Sequence, residues 1–317
     1  MFRKKRTAST PKAFNLGNSL EDLGLQITSD YRLRKQRSPD ELYEFSVSKD
    51  KAYNEHYYQA VLEHIHDWTI ATCMLQAIPI SAKENKTDEP YAFVYTTNNW
   101  RENTKGLVII VQSLSHPLIW TNRNVKEHDL RDATVVNMIC GCVNMGYAVA
   151  IFTPSALLWD THKKIPRTIS SFISLGDQIT KQNYIPSIRS PEEYVTKGLN
   201  YILSQSKALK IYYIGAEYGS QPLNMYLDRN WETLSSRAAS VILLMNITSI
   251  YELNNQNYLN YLSENCWNYN PSNRPKQELL VDLTAATGLK TFSCGEFIEF
   301  IYDDITNILL DKMKNES

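Results

Sequence analysis

The chain has 317 residues and a formal net charge of −1, with 43% hydrophobic and 21% charged residues. This composition is typical of a globular protein with a sizeable core, and the balanced charge gives no overall field that would attract nucleic acid or a membrane. No apolar run approaches the roughly 18 residues that a spanning helix requires, and no signal-peptide core follows the N-terminal basic residues. We therefore expect an intracellular protein with no membrane partner.

The N-terminus is basic, because it contains several Lys and Arg residues and no acidic residue before Glu21. We predict that residues 1–13 form a disordered tail, since a segment so rich in cations and poor in apolar residues cannot pack. A second interpretation is a nuclear-import or nucleic-acid contact. The candidate import residues are Arg3, Lys4, Lys5 and Arg6.

The cysteines and histidines form no pattern typical of a metal site. Cys140 and Cys142 are two apart in a predicted helix, where such neighbours point to different faces, and His64 and His66 have the same unfavourable spacing. We predict that the five scattered cysteines are buried structural thiols, and we expect no metal and no cofactor.

The first half of the chain moves from a mixed segment into alternating helices and strands. Residues 14–43 predict short strands or an extended wrap, and residues 51–76 a long helix with apolar residues every three to five positions. Apolar runs then predict strands at 91–95, 107–111 and 147–152, with a helix at 129–145 between the last two.

The second half continues the same alternation after an insertion at 153–190, which is either a lid-like loop or partly disordered. Ser190 and Pro191 predict a helix start. The remaining predictions are strands at 210–214, 241–245 and 289–293, a polar segment with an aromatic stripe at 254–267, a loop at 268–275 and a C-terminal helix at 295–312.

These elements predict one α/β domain over residues 14–313, with a mainly parallel sheet covered by helices on both faces. The runs ending near Val111, Phe152, Ile214 and Met245 are apolar throughout, as the central strands of a parallel sheet must be. We expect these four strands to be neighbours.

The stretch after the 210–214 strand predicts the position of a functional site. Gly215 and Gly219 flank Glu217, and a helical pattern follows. In an α/β-hydrolase this strand–turn–helix carries Gly-x-Ser-x-Gly, with the serine nucleophile on a strained turn. Glu217 stands at the nucleophile position, so we predict that the geometry of this nucleophile elbow is kept while its chemistry is lost.

The other parts of a catalytic triad are missing from the sequence. None of the six histidines lies after His162, whereas the triad requires a histidine after the nucleophile. The segment 112–117, where a glycine-rich oxyanion turn belongs, contains no glycine. An alternative is a hydrolase that uses Glu217 with an out-of-order histidine such as His116 or His128.

Glu217 has two structural interpretations. Its carboxylate lies near the N-terminus of the following helix, where the helix dipole favours negative charge, so it can plug the former oxyanion site by accepting backbone hydrogen bonds. In the alternative, the side chain simply points into solvent.

Several short motifs in this order resemble the Argonaute-binding-protein-two-like domain family from about Leu16 to the C-terminus. The motifs are the stretch from Leu20 to Leu25, the 53–68 helix, the 106–111 strand followed by Trp120, the 145–149 segment, the 190–193 helix start, the 215–219 elbow and Cys266-Trp267. The resemblance implies the α/β-hydrolase-like fold. Many family members have serine at the position of Glu217, a glycine in the oxyanion loop and a histidine before the last helix, and this chain departs from all three.

The resemblance also implies a context in RNA silencing. We expect a non-catalytic subunit of an Argonaute siRNA chaperone complex, with Argonaute and a second chaperone subunit as partners and small RNA bound indirectly through Argonaute. The expected location is the nucleus and the cytoplasm. The alternative is an Argonaute-independent module of a chromatin-silencing complex of the histone deacetylase type.

Overall fold

The computed structural model describes residues 14–80, 89–246, 249–296 and 301–315. The predicted basic tail, with Arg3, Lys4, Lys5 and Arg6, lies outside these residues.

An eight-stranded sheet forms the centre of the described part of the chain. Its strands are β4 (Gln76–Pro79), β5 (Phe93–Thr96), β6 (Leu107–Val111), β7 (Ala148–Phe152), β10 (Ile211–Ala216), β11 (Ala238–Leu244), β12 (Cys266–Asn270) and β13 (Thr291–Ser293). Their order across the sheet is β13-β12-β11-β10-β6-β7-β5-β4. The strands from β13 to β7 are parallel, and β5 is antiparallel to both β7 and β4.

The predicted centre of the sheet is confirmed. The four apolar strands β11, β10, β6 and β7 are consecutive neighbours and mutually parallel, and every residue of β6 and β7 is buried. Burial on both faces explains why these strands are apolar without alternation.

Helices cover both faces of the sheet. The helices of the described residues are α1 (Lys51–Cys73), α2 (Asn122–Glu127), α3 (Leu130–Ala133), α4 (Val136–Asn144), α5 (Ile169–Ser174), α6 (Pro191–Gln205), α7 (Ser220–Leu234), α8 (Gln256–Asn265), α9 (Val281–Thr287) and α10 (Ile301–Asn315). One core lies between the sheet and α6, α7 and α8. The other lies between the opposite face and α4, α10 and the end of α1. This arrangement fits the alternation of helices and strands in the sequence.

The N-terminal segment forms a small layer of its own. Three short antiparallel strands, β1 (Leu25–Ile27), β2 (Leu33–Lys35) and β3 (Ser38–Leu42), pack with α2 and α3 against α1. Asp50 caps α1 by accepting from the backbone of Ala52 and Tyr53.

The insertion at 153–190 is folded. It contains the antiparallel pair β8 (Leu158–Asp160) and β9 (Ile165–Arg167), then α5 and a short 3₁₀ turn at Lys181–Asn183. A buried ion pair joins the two strands, with Arg167 Nη1 2.8 Å from Asp160 Oδ2. The partly disordered alternative for this segment is therefore wrong.

Several predicted elements need correction. The helix at 129–145 is two helices, α3 and α4, because Thr134 leaves the helical conformation between them. The first three residues of the predicted loop at 268–275 belong to β12. Helix α9 and strand β4 were not predicted. The helix start at Ser190 is confirmed, since Ser190 Oγ accepts from the backbone nitrogen of Glu193 at 3.2 Å.

Candidate functional site

The predicted elbow follows β10 as a tight turn. β10 ends at Ala216, a 3₁₀ turn occupies Glu217–Gly219, and α7 begins at Ser220. Glu217 has φ of +50°, in the left-handed region that L-residues seldom adopt. A strained residue between a parallel strand and a helix is the geometry of a nucleophile elbow. The half-buried Glu217 stands where that geometry presents the nucleophile.

The two glycines permit this turn because side chains would collide with neighbouring backbone. A Cβ atom on Gly215 would lie 2.7 Å from Cα of Ser220, at the start of α7. On Gly219 it would lie 2.5 Å from the carbonyl oxygen of Val111 and closer still to that of Gln112. The elbow is therefore packed directly against the end of β6, where an oxyanion loop belongs.

The loop after β6 is closed on itself by a buried glutamine. Gln112 Oε1 accepts from the backbone nitrogen of Leu118 at 2.8 Å, and Gln112 Nε2 donates to the carbonyl oxygen of Ile119. Leu118 has φ of +64°. The backbone N–H of Leu118 therefore donates its hydrogen bond within the loop.

A second contact fixes the elbow to the neighbouring helix. Tyr218 Oη donates to Glu192 Oε1 at 2.5 Å, in the first turn of α6. This hydrogen bond raises the pKa of Tyr218 to about 12. Although burial alone would raise the pKa of Glu192, the Tyr218 hydroxyl holds it below its ordinary value.

The strand ends beside the elbow carry amides and hydroxyls. β11 is followed by Asn246 and β12 ends at Asn270, both polar but uncharged. At the end of β13, Ser293 Oγ donates to the carbonyl oxygen of Arg274. A triad would need a carboxylate and a histidine here.

His116 and His128, the histidines of the alternative hydrolase hypothesis, are not at these strand ends. His116 packs its ring on that of His66, with centroids 6.1 Å apart, and contacts the carbonyl oxygen of Pro117 at 3.3 Å. Burial, with His66 nearby, lowers the pKa of His116 to about 3, so this imidazole is neutral at physiological pH. His128 follows α2, beside the bridge that joins Asp129 to Arg32 of the N-terminal layer.

The cysteine prediction holds for four of the five residues. Cys140 is exposed and Cys142 is buried, which fits their placement on different faces of α4, and Cys140 is the exception to the predicted burial. Within the described ranges, no group of three or more His, Cys, Asp or Glu is arranged to hold a metal ion. None of the described helices is long and apolar enough to cross a membrane.

The strand order and the elbow define the class of this protein. When the eight strands of the sheet are numbered 1 to 8 along the chain, their order across the sheet is 1-2-4-3-5-6-7-8. The second of these strands is antiparallel to its neighbours, and the elbow follows the fifth. The chain therefore has an α/β-hydrolase-like fold with a carboxylate at the nucleophile position. It belongs to the Arb2 domain family, whose model matches residues 16–276, and this confirms the resemblance carried by the sequence motifs.

Individual relatives are distant. The chain is 20% identical to a chicken (Gallus gallus) protein described as a cotranscriptional regulator ARB2A homolog, over 81% of this chain and 71% of that protein. Among solved structures it is similar to a histone deacetylase from Saccharomyces cerevisiae, with a TM-score of 0.50, 12% identity, and 82% and 97% of the two chains covered. A lidless α/β serine hydrolase from Xanthomonas campestris has a TM-score of 0.41 and 9% identity, over 76% and 94%.

Sequence reasoning located Gly215, Glu217 and Gly219, which the structure brings together at one turn. It missed the roles of Gln112 and Tyr218, because both act through contacts with residues that only the fold brings near. A glutamine directly after a buried apolar strand was the available signal for the closed loop.

Proposed function

We propose that this chain is a non-catalytic subunit of an Argonaute siRNA chaperone complex. It binds Argonaute and a second chaperone subunit, and supports small-RNA loading or maturation in RNA-directed heterochromatin silencing. Small RNA reaches it indirectly through Argonaute. The protein acts in the nucleus and the cytoplasm and uses no cofactor.

The observation that carries this proposal is the carboxylate of Glu217 on an otherwise intact elbow. The turn keeps its left-handed residue and its two glycines, so the fold of a hydrolase is maintained. A carboxylate nucleophile would still need a histidine to activate the hydrolytic water, and the sequence after Glu217 contains none. Maintenance of the fold without its chemistry supports a binding role.

The family and one relative support the nuclear part of the proposal. The chain belongs to the Arb2 domain family, and the chicken relative is described as a cotranscriptional regulator. The basic residues Arg3, Lys4, Lys5 and Arg6 fit a nuclear-import signal.

Affinity purification of the tagged chain from its own cells, followed by mass spectrometry and small-RNA sequencing, tests the proposal. We expect Argonaute, a second subunit and small RNA to be recovered above an untagged control. In cells that lack Argonaute, the second subunit should still be recovered and the small RNA should be lost. Recovery of neither Argonaute nor small RNA from wild-type cells would contradict the proposal.

The second candidate is an Argonaute-independent module of a histone deacetylase complex. It is favoured by the match in fold to the yeast histone deacetylase, of which 97% is covered by this chain. The same purification separates the two functions, because this candidate predicts deacetylase subunits without Argonaute.

A further inference from the structure

A cavity of about 400 Å³ is lined by α1, the edge strand β4, its neighbour β5, the loop after β6 and the folded insertion, and by no residue of the elbow. The β8–β9 hairpin and the start of α5 form one wall, and α1 forms the opposite wall. This volume is in the range of small-molecule sites in proteins.

The walls are largely apolar. Ile70 of α1, Phe93 of β5 and Ile165 of β9 line the cavity, together with two prolines. An apolar wall with one aromatic ring favours a ligand with a flat hydrocarbon body, because burying that body away from water is favourable.

The cationic side chains in the lining already have partners. Lys163 Nζ donates to Glu63 Oε2 at 2.5 Å. Arg167 donates to Asp160 and also to Ser171, each at 2.8 Å. Because both cations are paired within the protein, an anionic ligand finds no free counter-ion among them.

Tyr95 and His116 each offer a hydrogen-bond acceptor in the lining. His66 Nδ1 lies 3.2 Å from a carboxylate oxygen of Asp67, which places the proton on Nδ1, so His66 Nε2 accepts from the Tyr95 hydroxyl at 3.0 Å. The Tyr95 oxygen keeps its lone pairs. His116 Nδ1 donates to the carbonyl oxygen of Pro117, which leaves Nε2 of that neutral ring as an acceptor.

We propose that this cavity binds a small, ring-containing molecule without negative charge that carries an O–H or N–H donor. The ring lies among Ile70, Phe93 and Ile165, and the donor bonds to His116 Nε2 or to the Tyr95 oxygen. The folded insertion closes one side of the site.

A matched pair of probes tests this proposal: 2-naphthol has the donor, and 2-methoxynaphthalene has the same ring with the donor capped. We expect saturation-transfer NMR and titration to show that 2-naphthol binds the purified chain about tenfold more tightly, which corresponds to one hydrogen bond to a buried acceptor. Absence of 2-naphthol binding at about millimolar concentration, or equal binding of the two probes, would overturn the proposal.

Three variants locate the bound probe. His116→Leu should reduce the tenfold preference for the donor, whereas His162→Leu, at an exposed histidine that does not line the cavity, should keep it. Ala77→Trp, on the exposed face of β4, should fill the cavity and abolish binding of both probes with the melting temperature unchanged. Undiminished binding in the folded Ala77→Trp variant would place the probe elsewhere and refute the site.

Discussion

Glu217 carries a backbone conformation that costs an L-residue about 1–2 kcal/mol, at the turn where a hydrolase holds its nucleophile. Such strain persists only where surrounding packing requires it. Here the packing of Gly215 on α7 and of Gly219 on the end of β6 requires it. The main chain is therefore that of a catalytic turn, and only the side chain differs.

Replacement of Glu217 by serine tests the interpretation of this carboxylate as a structural plug. We expect Glu217→Ser to remain inactive toward p-nitrophenyl esters, because the sequence after residue 217 contains no histidine. We also expect a loss of about 1–2 kcal/mol in the free energy of unfolding, since in the plug interpretation the carboxylate accepts backbone hydrogen bonds near the N-terminus of α7 that serine would not replace. Urea unfolding and an esterase assay measure both effects.

Ser220→Ala is the matched control for that substitution. Ser220 is fully buried, and its hydroxyl has no hydrogen-bond partner within the described residues, so its removal should leave stability unchanged or slightly higher. Ester turnover in Glu217→Ser, or stability equal to that of the native chain, would refute the plug.

A methyl group at Gly219 should damage the elbow. Gly219→Ala places a Cβ atom against the carbonyl oxygens of Val111 and Gln112, which belong to the backbone and cannot rotate away. We expect a destabilisation of about 2–3 kcal/mol, measured by urea unfolding. A variant as stable as the native chain would show that the turn does not depend on this close approach.

The neutral imidazole of His116 makes stability depend on pH. Its pKa of about 3 in the folded chain is below the ordinary value of 6.5, so the unfolded chain binds more protons between these values. The stabilising contribution is complete above pH 6.5 and is lost as the pH falls toward 3. From pH 7 to pH 5 we expect a loss of up to about 2 kcal/mol from this residue, measured by urea unfolding.

Substitution of the histidine separates this contribution from other acid effects. In His116→Leu the loss of stability between pH 7 and pH 5 should be smaller by up to about 2 kcal/mol than in the native chain. The same change at the exposed His162 should leave the native profile intact. Identical pH profiles for the native chain and His116→Leu would contradict the assignment.

Among the elements, the insertion depends on a buried ion pair. The side chains of Arg167 and Asp160 are only 7% and 8% exposed. Although burial alone would raise the pKa of Asp160, the backbone of Lys163 and the Arg167 guanidinium hold it below the ordinary value, so this pair persists until the pH falls below that range. Asp160→Asn leaves a buried arginine without its closest counter-ion. We therefore expect the free energy needed to open the insertion to fall by about 3 kcal/mol.

Limited proteolysis measures this loss, because opening of the insertion exposes residues 153–190 to cleavage. Lys163→Gln is the control, since the Lys163–Glu63 pair is partly exposed, at 48% and 29%, and such pairs contribute little. Faster cleavage is expected only in Asp160→Asn. Equal cleavage of the two variants would contradict a dominant role for the buried pair.

The elements that could be predicted from sequence are those whose pattern is local. Strands β6, β7, β10 and β11 are buried on both faces, so their apolar runs are visible without knowledge of the fold. β12 was missed because its sequence, Cys266–Asn270, contains two asparagines and is aromatic rather than aliphatic. Asn268 is tolerated inside the sheet because its amide donates to Thr291 of β13 at 2.9 Å, a partner that the sequence alone does not indicate.

Of the candidate site, only the turn itself could be predicted from the sequence. The glycine spacing and the strand before it identified the turn, because both are local. The closed Gln112 loop, the Tyr218–Glu192 contact and the meeting of His66 with His116 join residues between 6 and 50 positions apart. Such contacts depend on tertiary packing, which leaves no periodic signal in the sequence.

At the scale of the whole molecule, the chain combines an α/β-hydrolase-like sheet with an elbow that carries Glu217 at the nucleophile position, and no histidine follows Glu217 in the sequence. The fold alone does not determine function, because unrelated activities share the same architecture. The proposed function requires that the protein acts by binding partners and that the Glu217 carboxylate performs no chemistry.

The most direct test is transcript level at a silenced locus in cells whose native chain is deleted or replaced by Glu217→Gln. This substitution keeps the size of the side chain and removes its ability to act as a nucleophile or base. We expect that deletion relieves silencing and that Glu217→Gln, at native abundance, restores silencing fully. Loss of silencing in Glu217→Gln cells with normal protein level and normal Argonaute recovery would show that the carboxylate acts chemically.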